Sequence, residues 1–506
     1  MNELPNGWTP ATLQDIATWS SGGTPSRSHS AYYSGAIPWF KTGELGPRVL
    51  YHSEERISEE AVVNSSAKVF PKGSVAIAMY GATIGRTSIL GMDAATNQAC
   101  AVGFPEATSA EFLYYFLVSQ EKDFVDAGKG GAQPNISQGI IKAWSISLPP
   151  RAEQTRIVEK LDELLSDLDA GVAELKAAQK KIAQYRQSLL KAAVEGSLTA
   201  KWRAKNPSAE TGAQLLQRIL TERRTRWETK QLAKFKEQGK TPPKDWQKKY
   251  PEPVQPDTLN LPKLPVGWVW ASVDQLSPND LANGRSVPSA DVGAKVLRLT
   301  AVRDGQIDLN ATKCGAWTDD EARPFRVTAG DLLIVRGNGS LSLVGRAGLV
   351  LAVNEPVAYP DTLIRLRVLS NIVSPAWVAL VWDSALVRQH LEQRARTSAG
   401  IYKISQPDIV STVIPVPPFE EQVAALATID GVKSEISIVA VAVDQSLKQS
   451  AAQRKNLLKA AFSGQLVPQD PHDEPARVLL ARIRAERAAA AVPQKSRTRL
   501  HTRESA

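Results

Sequence analysis

Several groups of residues in this sequence could do chemistry, and each lacks part of the pattern that its reaction needs. The segment Asn206–Ala209 approaches the Asn-Pro-Pro-aromatic corner of adenine methyltransferases, but it lacks the second proline and the aromatic residue. Gly35–Thr42 ends in Lys-Thr like a nucleotide-binding P-loop, but the residue directly before its lysine is not glycine. Asp361 is followed by Thr-Leu-Ile-Arg-Leu-Arg, which offers a metal-dependent nuclease no second acid. We therefore expect a protein without a catalytic site of its own.

The histidines and cysteines form neither a metal-binding nor a disulfide pattern. The five histidines, at positions 29, 52, 390, 472 and 501, do not have the spacing of metal ligands. Cys100 and Cys314 lie far apart and match no disulfide framework. No apolar run approaches the roughly 18 to 20 residues of a membrane-spanning helix, and the N-terminus does not resemble a secretory signal. We expect no metal, no other cofactor and no membrane, and a reducing, cytoplasmic setting.

Polar loop residues offer a different kind of site, because their types reach base edges and phosphates in DNA. They lie between short β-rich runs in two separate regions. In the first region the candidates are Thr24, Ser26, Arg27, Lys41, Tyr80, Thr83, Asn97, Gln133 and Asn135. In the second region they are Arg336, Asn338, Ser340, Arg346, Tyr402 and Lys403.

Some of these residues also have structural interpretations. Arg86 and Arg346 occupy equivalent places in two similar Gly-Arg sequences, so both could be scaffold residues, since residues that read different sequences ought to differ. Gly337-Asn338-Gly339 predicts a tight hairpin turn, whatever else it does.

The two regions belong to a tandem repeat. Leu4–Trp8 (LPNGW) recurs as Leu264–Trp268 (LPVGW), at an offset of 260 residues. Leu148–Gln154 (LPPRAEQ) matches Val416–Gln422 (VPPFEEQ), at an offset of 268 residues. The chain therefore repeats one plan, a globular block followed by a helical block. The two helical blocks are similar in sequence, as expected if they bind equivalent partners. The two globular blocks share only a few motifs, as expected if they bind different targets.

Each helical block predicts a long amphipathic helix. Residues 153–194 contain no proline, and leucine or isoleucine recurs at every seventh position from Leu161 to Leu189, with Tyr185 among the d positions. The second copy keeps this register from Ile429 to Leu457, with Val439 at d and a more polar seam. A helix of about 42 residues is roughly 60 Å long. It must bury its apolar stripe in a helical bundle or against the other copy, and we favour antiparallel pairing of the two copies.

The expected fold is α+β, with two globular mixed α/β domains joined by two long helices that pair as an antiparallel coiled-coil spacer in a pseudo-two-fold tandem repeat. Helices are expected in the globular domains at Ala110–Val125 and Ala376–Arg394. The expected boundaries are 1–150 for the first globular domain, 151–262 for the central helical block and basic linker, 263–418 for the second globular domain, 419–492 for the C-terminal helical block, and 493–506 for a tail of disordered composition.

The net charge of +9 is concentrated in one segment. Residues 200–250 carry 14 Lys/Arg and 5 Asp/Glu, and 14 − 5 = +9. Such a segment could contact nucleic acid or an acidic partner, or it could be a solvated helix face, and both interpretations remain open. Beyond Trp227 the sequence is rich in proline and lysine, which is typical of a linker.

Several of these motifs resemble the specificity subunits of type I restriction-modification systems. The first region contains GGTPS, IPW, TIGR, ATNQA, QPNIS and PPRAEQ, and the second contains GDLL, NGS, VGR, PDTLIRLR and SAGIYKIS, in the order typical of that family. The resemblance covers nearly the whole chain. It implies two target-recognition domains, each reading half of a split site in double-stranded DNA, and a helical spacer that sets the gap. It also implies modification subunits that methylate adenine and motor-nuclease restriction subunits that cleave DNA.

The function expected from the sequence is therefore that of a non-catalytic subunit that binds a bipartite DNA site and directs methylation and restriction by its partners. One alternative is a non-specific DNA-binding coiled-coil scaffold, which would share the charge and the helices but would not need two divergent polar domains. The other alternative is an enzyme, for which the motifs are missing.

Overall fold

The computed structural model describes residues 4–128 and 134–490, so the candidate Gln133 and the expected tail at 493–506 lie outside the described residues. The described residues form two compact units. Unit 1 comprises those up to Lys176 and those from Asp444 onward, and unit 2 comprises Ala177–Val443. Among the described helices, none combines the length and the apolar character that crossing a membrane requires.

The helices and strands are numbered in chain order. The helices are α1 Leu13–Ile16, α2 Glu59–Val63, α3 Ala110–Ser119, α4 Glu121–Ala127, α5 Gln138–Lys142, α6 Arg151–Val194, α7 Ala200–Lys205, α8 Gly212–Glu237, α9 Val273–Leu276, α10 Asp319–Ala322, α11 Pro375–Trp382, α12 Ala385–Arg394, α13 Gln406–Val410, α14 Phe419–Phe462 and α15 Ala476–Ala490. The strands up to the first long helix are β1 Thr9–Thr12, β2 Ala17–Ser21, β3 Ile37–Phe40, β4 Val49–Leu50, β5 Glu55–Ile57, β6 Val69–Phe70, β7 Val75–Ala78, β8 Thr87–Leu90, β9 Ala94–Thr96, β10 Cys100–Pro105 and β11 Ser145–Leu148. The later strands are β12 Val269–Ser272, β13 Ala282–Asn283, β14 Lys295–Leu297, β15 Val302–Arg303, β16 Gln306–Ile307, β17 Thr312–Cys314, β18 Leu332–Val335, β19 Gly337–Asn338, β20 Ala347–Leu349, β21 Leu363–Leu366, β22 Arg396–Ser398, β23 Ile401–Lys403 and β24 Val413–Val416.

The mixed α/β fold expected from the sequence is confirmed. The two helices predicted in the globular blocks each occur as two consecutive helices, α3 with α4 and α11 with α12. In the second case the side chain of Ser384 accepts a hydrogen bond from the Val387 backbone N–H, which caps a new helix and ends the continuity that the apolar pattern suggested.

The main sheet of unit 1 has the strand order β2-β10-β7-β8-β4, and a second sheet has the order β5-β3-β9-β6. Alternate residues of the central strand β7 belong to different cores. Val75 and Ile77 pack in the core that includes helix α3, whereas Ala76 and Ala78 pack in a separate core on the other face. Because side chains alternate across a strand, burial on both faces produces the continuous apolar run of β7.

The main sheet of unit 2 repeats this arrangement with the strand order β13-β21-β18-β20-β16-β15. Its central strand β18 places Leu332 and Ile334 in one core and Leu333 and Val335 in another. Each of β7 and β18 is followed by a connection that contains a single 3-10 turn, Gly81–Thr83 or Leu341–Leu343, and then by an antiparallel neighbour, β8 or β20. The repeat seen in the sequence is thus also a repeat of sheet architecture.

The repeated LPxGW and PPxxEQ motifs meet at the start of each long helix. In unit 1 the indole N–H of Trp8 donates to Glu153 Oε2 at 3.0 Å. In unit 2 the indole N–H of Trp268 donates to Glu421 Oε2 at 2.9 Å. All four residues are buried. These motifs therefore form a buried joint that orients each long helix on its own globular domain.

The glutamine of the PPxxEQ motif completes this joint. Gln154 donates its side-chain amide to the Pro149 carbonyl at 3.0 Å, and Gln422 donates to the Pro417 carbonyl at 3.0 Å. Gln422 also accepts from the Ser374 N–H at 2.9 Å. The Pro149 and Pro417 carbonyls are buried and lie just before their helices, so the glutamine amides supply the hydrogen-bond donors that these carbonyls need.

The long helices α6 and α14 pair in an antiparallel sense within each unit, the direction expected from the symmetry of the tandem repeat. In unit 1, Leu161 near the start of α6 shares a core with Leu458 near the end of α14. In unit 2, Leu189 near the end of α6 shares a core with Ile429 near the start of α14. The coiled-coil arrangement is confirmed.

The buried contact between these helices in unit 2 includes a positions but leaves d positions exposed. Ile436 and Val443, at a positions, are buried with 7% and 8% of their surface exposed. Tyr185 and Val439, both expected at d, are instead 54% and 52% exposed. The middle of the pair therefore leaves apolar surface uncovered in the described part of the chain.

The basic segment 200–250 consists of α7, α8 and a stretch that packs on α8. The ring of Trp246 stacks on that of Trp227 with centroids 5.7 Å apart, and the Tyr250 ring meets Trp227 edge-on at 5.4 Å. Arg223 Nη1 donates to the Tyr250 hydroxyl at 3.2 Å. Aromatic packing thus holds part of the proline- and lysine-rich stretch against the helix.

Candidate nucleic-acid interface

The candidates of unit 1 gather at one edge of its sheets. β2 and β7 end at this edge, and β8 and β10 begin there, because these neighbours run antiparallel. Backbone hydrogen bonds continue beyond the strand ends, from Met79 N–H to the Ala99 carbonyl at 2.8 Å and from Ile136 N–H to the Met79 carbonyl at 2.9 Å. Another joins Asn97 N–H to the Phe40 carbonyl at 3.0 Å. This edge brings together Thr24, Ser26, Arg27, Lys41, Tyr80, Thr83, Asn97 and Asn135.

Arg27 and Lys41, the cations among these candidates, are neutralised by neighbouring acids. Arg27 Nη1 and Nη2 donate to the two Glu55 oxygens at 2.6 and 3.2 Å, and its guanidinium lies 4.2 Å from the centre of the Tyr33 ring. Lys41 Nζ donates to Glu54 at 2.8 Å and to Glu55 at 3.1 Å. The Arg27 hydrogen bonds lower the pKa of Glu55, and the same contact raises the pKa of Arg27. This corner therefore has a fixed geometry and little uncompensated charge.

Other candidates of unit 1 differ in how free their polar groups are. Tyr80 and Asn135 are exposed and face each other in an isolated antiparallel bridge. The hydroxyl of Thr83 donates to the Tyr80 carbonyl at 2.9 Å, which uses its proton within the loop. Tyr80 and Asn135 are therefore better placed for an external partner than Thr83.

A third group lies around the turn before β10. The hydroxyl of Thr24 donates to Gln98 Oε1, and the Asn97 side-chain oxygen accepts from Cys100 Sγ at 3.3 Å. The hydroxyl of Ser26 is 2.8 Å from that of Ser28, and both residues are exposed. Asn97 thus shapes the turn, while its exposed neighbour Gln98 presents an amide at the edge.

The candidates of unit 2 also gather at one sheet edge. β18 ends there, and β20 and β21 begin there. The chain then leaves the main sheet as β19, which pairs with β23, and β23 pairs with β22. Hydrogen bonds from Arg336 N–H to the Thr362 carbonyl at 2.8 Å and from Ile404 N–H to the Arg336 carbonyl at 2.9 Å join the two sheets. This edge brings together Arg336, Asn338, Ser340, Arg346, Tyr402 and Lys403.

The tight hairpin turn predicted at Gly337-Asn338-Gly339 is wrong. Gly337 and Asn338 form β19 and pair with Lys403 and Tyr402 of β23. The chain bends one residue later, where Asn338 Oδ1 accepts from the Ser340 N–H at 3.0 Å. Pairing with a strand that is distant in sequence satisfies the backbone groups that a local turn would have satisfied.

The Gly-Arg sequence that occurs in both units, Gly85-Arg86 and Gly345-Arg346, has a structural role. Gly85 and Gly345 have positive φ values of 82° and 72°. A Cβ at Gly85 would lie 2.9 Å from the Cγ of Glu121, and one at Gly345 would lie 2.9 Å from Cδ1 of Leu391. Both positions therefore require glycine for conformation and for space. Arg346 Nε donates to the carbonyl of Ser342 in its own loop at 2.9 Å, which supports the scaffold interpretation of this arginine.

Three polar residues at these edges were not among the candidates named from the sequence. Gln98 was next to a named candidate, and Glu55 was overlooked because acids are not expected at a surface for DNA. Arg396 lies directly opposite Lys403 in the hairpin formed by β22 and β23. The strand alternation around SAGIYK was the signal that could have found Arg396.

The described residues were also compared with the patterns of metal sites and thiolate nucleophiles. No group of three or more described His, Cys, Asp or Glu residues could hold a metal ion. Burial raises the pKa of the Cys100 thiol to about 12, so this residue is not a thiolate nucleophile near neutral pH. The described edges are suited to binding through polar side chains.

Comparison with known proteins gives concordant matches. A family profile described as "Type I restriction modification DNA specificity domain" matches residues 5–182. The type I restriction enzyme EcoKI specificity subunit of Escherichia coli (strain K12) is 26% identical over 518 residues, which cover 98% of this chain and 98% of that protein. The EcoR124I/EcoR124II specificity subunit of Escherichia coli is 31% identical over 189 residues, 35% of this chain and 47% of that protein.

A structural match supports the same arrangement. A chain solved in a study of complex assembly and conformational transition of the type I R-M system has a TM-score of 0.62 and 17% sequence identity. The match covers 92% of this chain and 100% of that chain. This likeness shows a shared fold over most of the chain.

Proposed function

We propose that this chain is a type I restriction-modification specificity subunit, which binds a split DNA site and directs partner subunits to it. Each unit reads one half-site through its polar sheet edge. The observation that carries this proposal is that the two edges occupy equivalent ends of similar sheets but hold different polar side chains. Shared architecture with divergent surface residues is what two readers of different half-sites require.

In this proposal the chain has no catalytic role and instead places its partner subunits at the DNA site. Its edges supply amides, hydroxyls and cations, which recognise bases and phosphates. Modification subunits methylate adenine within the bound site, and motor-nuclease restriction subunits cleave DNA. A non-specific DNA-binding scaffold would not require two divergent polar edges, so the similarity to specificity subunits and the geometry both favour a sequence-specific DNA-binding protein.

The function can be tested by producing the chain with a cognate modification subunit in a host that lacks other methyltransferases. We expect methylated adenines at a single split motif, and we expect them to disappear when this chain is omitted. Replacing residues 1–150 with the corresponding block of a relative should change one half of the motif and preserve the other half. Methylation that is independent of this chain, or a swap that changes both halves, would contradict the proposal.

A partner surface is provided by the exposed apolar side chains of α14. Ile438 and Val441 are 71% and 66% exposed, and Val439 lies between them. Apolar residues grouped on a charged, solvated helix are typical of protein interfaces rather than of nucleic-acid interfaces. We propose that a modification subunit covers this face.

The double variant Ile438→Ser/Val441→Ser should weaken binding of the modification subunit at least about tenfold, because burial of two apolar side chains would be lost. The affinity can be measured by titrating labelled modification subunit onto the full chain. Val266→Ser is a matched control, since Val266 is 97% exposed and lies in a loop of the same unit. Equal affinity of the double variant and the control variant would place the interface elsewhere.

A further inference from the structure

The hairpin formed by β22 and β23 carries a pair of like charges. Ala399 and Gly400 join its strands with φ values of 48° and 76°, the left-handed geometry of a tight two-residue turn. The register places Arg396 directly opposite Lys403, and both side chains are exposed. Neither forms an ion pair within the described residues. Like charges at directly opposed positions destabilise an antiparallel pair, so this arrangement has a cost in the free protein.

The pleat of the small sheet turns this pair away from the core. Tyr402, next to Lys403, packs against the large core of unit 2. Because neighbouring residues of a strand point to opposite faces, Lys403 and its cross-strand partner Arg396 point outward. On the other side of Lys403 the register places Gly337, and a Cβ there would lie 3.2 Å from the Lys403 Cγ. The outward row is therefore a glycine followed by two cations.

The corresponding edge of unit 1 has a different electrostatic character. Its cations Arg27 and Lys41 share the carboxylates of Glu54 and Glu55. The charges of these two residues are compensated by neighbouring acids, whereas the charges of the hairpin are not. The two edges are thus prepared for different kinds of contact with an anionic partner.

We propose that the β22–β23 hairpin of unit 2 binds the phosphate backbone of the DNA, with Arg396 and Lys403 facing phosphates. This inference rests on the proposed function, which brings DNA to the edge where the hairpin lies. A phosphate backbone supplies closely spaced negative charges for two neighbouring cations that have no acidic partner in the protein. A two-stranded β-ribbon also fits against duplex DNA. In unit 1 the paired cations contribute less to the salt dependence of binding.

The test measures the affinity of the full chain, assembled with its modification subunits, for a duplex carrying the mapped split site as the salt concentration is varied. The variant Arg396→Gln/Lys403→Gln should reduce the slope of log affinity against log salt by about 1.8, since each phosphate contact contributes about 0.9. The preference for the true site over a site with one changed base should stay within about twofold.

Two control variants separate charge from folding. Arg396→Lys/Lys403→Arg keeps both charges and should retain the wild-type slope. Lys295→Gln removes an exposed lysine of the same unit that already contacts Glu355 at 2.7 Å, and it should change the slope little. An unchanged slope in the double glutamine variant would overturn the phosphate contact. Loss of base preference at an unchanged slope would make the hairpin a base reader. If the unmodified complex showed no preference for the split site, the proposed function would fail instead.

Discussion

Replacing Glu421 with glutamine should lower the free energy of unfolding of unit 2 by about 2–3 kcal/mol. Glu421 is buried and accepts hydrogen bonds from the Trp268 indole, from Thr199 Oγ1 at 2.6 Å and from Arg203 Nη1 at 2.6 Å. A glutamine would point an N–H group at one of these donors and would leave Arg203 without its carboxylate. Because Arg203 is about one quarter exposed, the loss should lie below that of a fully buried pair.

Glu153→Gln, the equivalent change in unit 1, should alter stability by less than about 1 kcal/mol. Glu153 accepts from Trp8 and from Gln469, at 3.0 and 3.2 Å, and no described cation lies within ion-pair distance of it. Burial raises the pKa of Glu153. The folded state therefore holds this proton more tightly than the unfolded state, so the stability it contributes is present at low pH and falls as the pH rises through the raised pKa.

Hydrogen–deuterium exchange of the buried strands β7 and β18 measures the stability of the two units separately. As the pH rises above the ordinary glutamate range, Glu153→Gln should improve relative to the wild type in unit 1, whereas Glu421→Gln should stay destabilised in unit 2. Equal losses in the two units would contradict the distinct roles of these glutamates.

Replacing Arg223 with leucine should destabilise unit 2 by about 3 kcal/mol. This nearly buried guanidinium donates to the Ser277 carbonyl at 3.2 Å, to the Pro251 carbonyl at 3.3 Å and to Asp274 Oδ1 at 2.9 Å. Its removal leaves a carboxylate and backbone carbonyls without their donor. It also frees Tyr250, so trypsin should cleave more rapidly at Lys248 and Lys249.

Arg487→Leu is the matched variant, since Leu215–Arg223 (LLQRILTER) and Leu479–Arg487 (LLARIRAER) are similar stretches that end in Arg223 and Arg487. Its side chain is 34% exposed and bonds to Glu106 and to the Gln14 carbonyl, at 2.7 and 2.8 Å. Because exposed ion pairs contribute little, we expect a loss of about 1 kcal/mol in unit 1. Urea unfolding with exchange readout measures both variants, and a similar loss for the two would refute the structural distinction between them.

Local and periodic features of the fold could be predicted from the sequence. The heptad spacing predicted the long helices α6 and α14, because burial of an apolar stripe imposes its period on the sequence. The repeated motifs predicted two domains of one plan. The sequence did not predict that Val439 would be exposed, since the depth of a seam depends on how two surfaces fit together.

The candidate DNA-binding residues were named from residue type alone, and their contact with DNA stays a prediction. Polar loop residues were identified because side chains that bind DNA have characteristic chemistry. The pairing of Arg27 and Lys41 with Glu55 was not, since those residues meet only where two strands run side by side. Likewise, Gly337 and Asn338 read as a turn because their partner strand lies more than sixty residues later.

The repeat, the long helices and the family resemblance could be recognised in the amino-acid sequence alone, because periodic burial and local motifs involve residues that are close in the sequence. Which cations form ion pairs could be seen only in the folded protein. Arg27 lies next to Glu55, which compensates its charge, whereas Arg396 lies opposite Lys403 and its charge is not compensated. The charge of a surface depends on neighbours brought together by strand pairing, and strand pairing joins residues that are distant in the sequence.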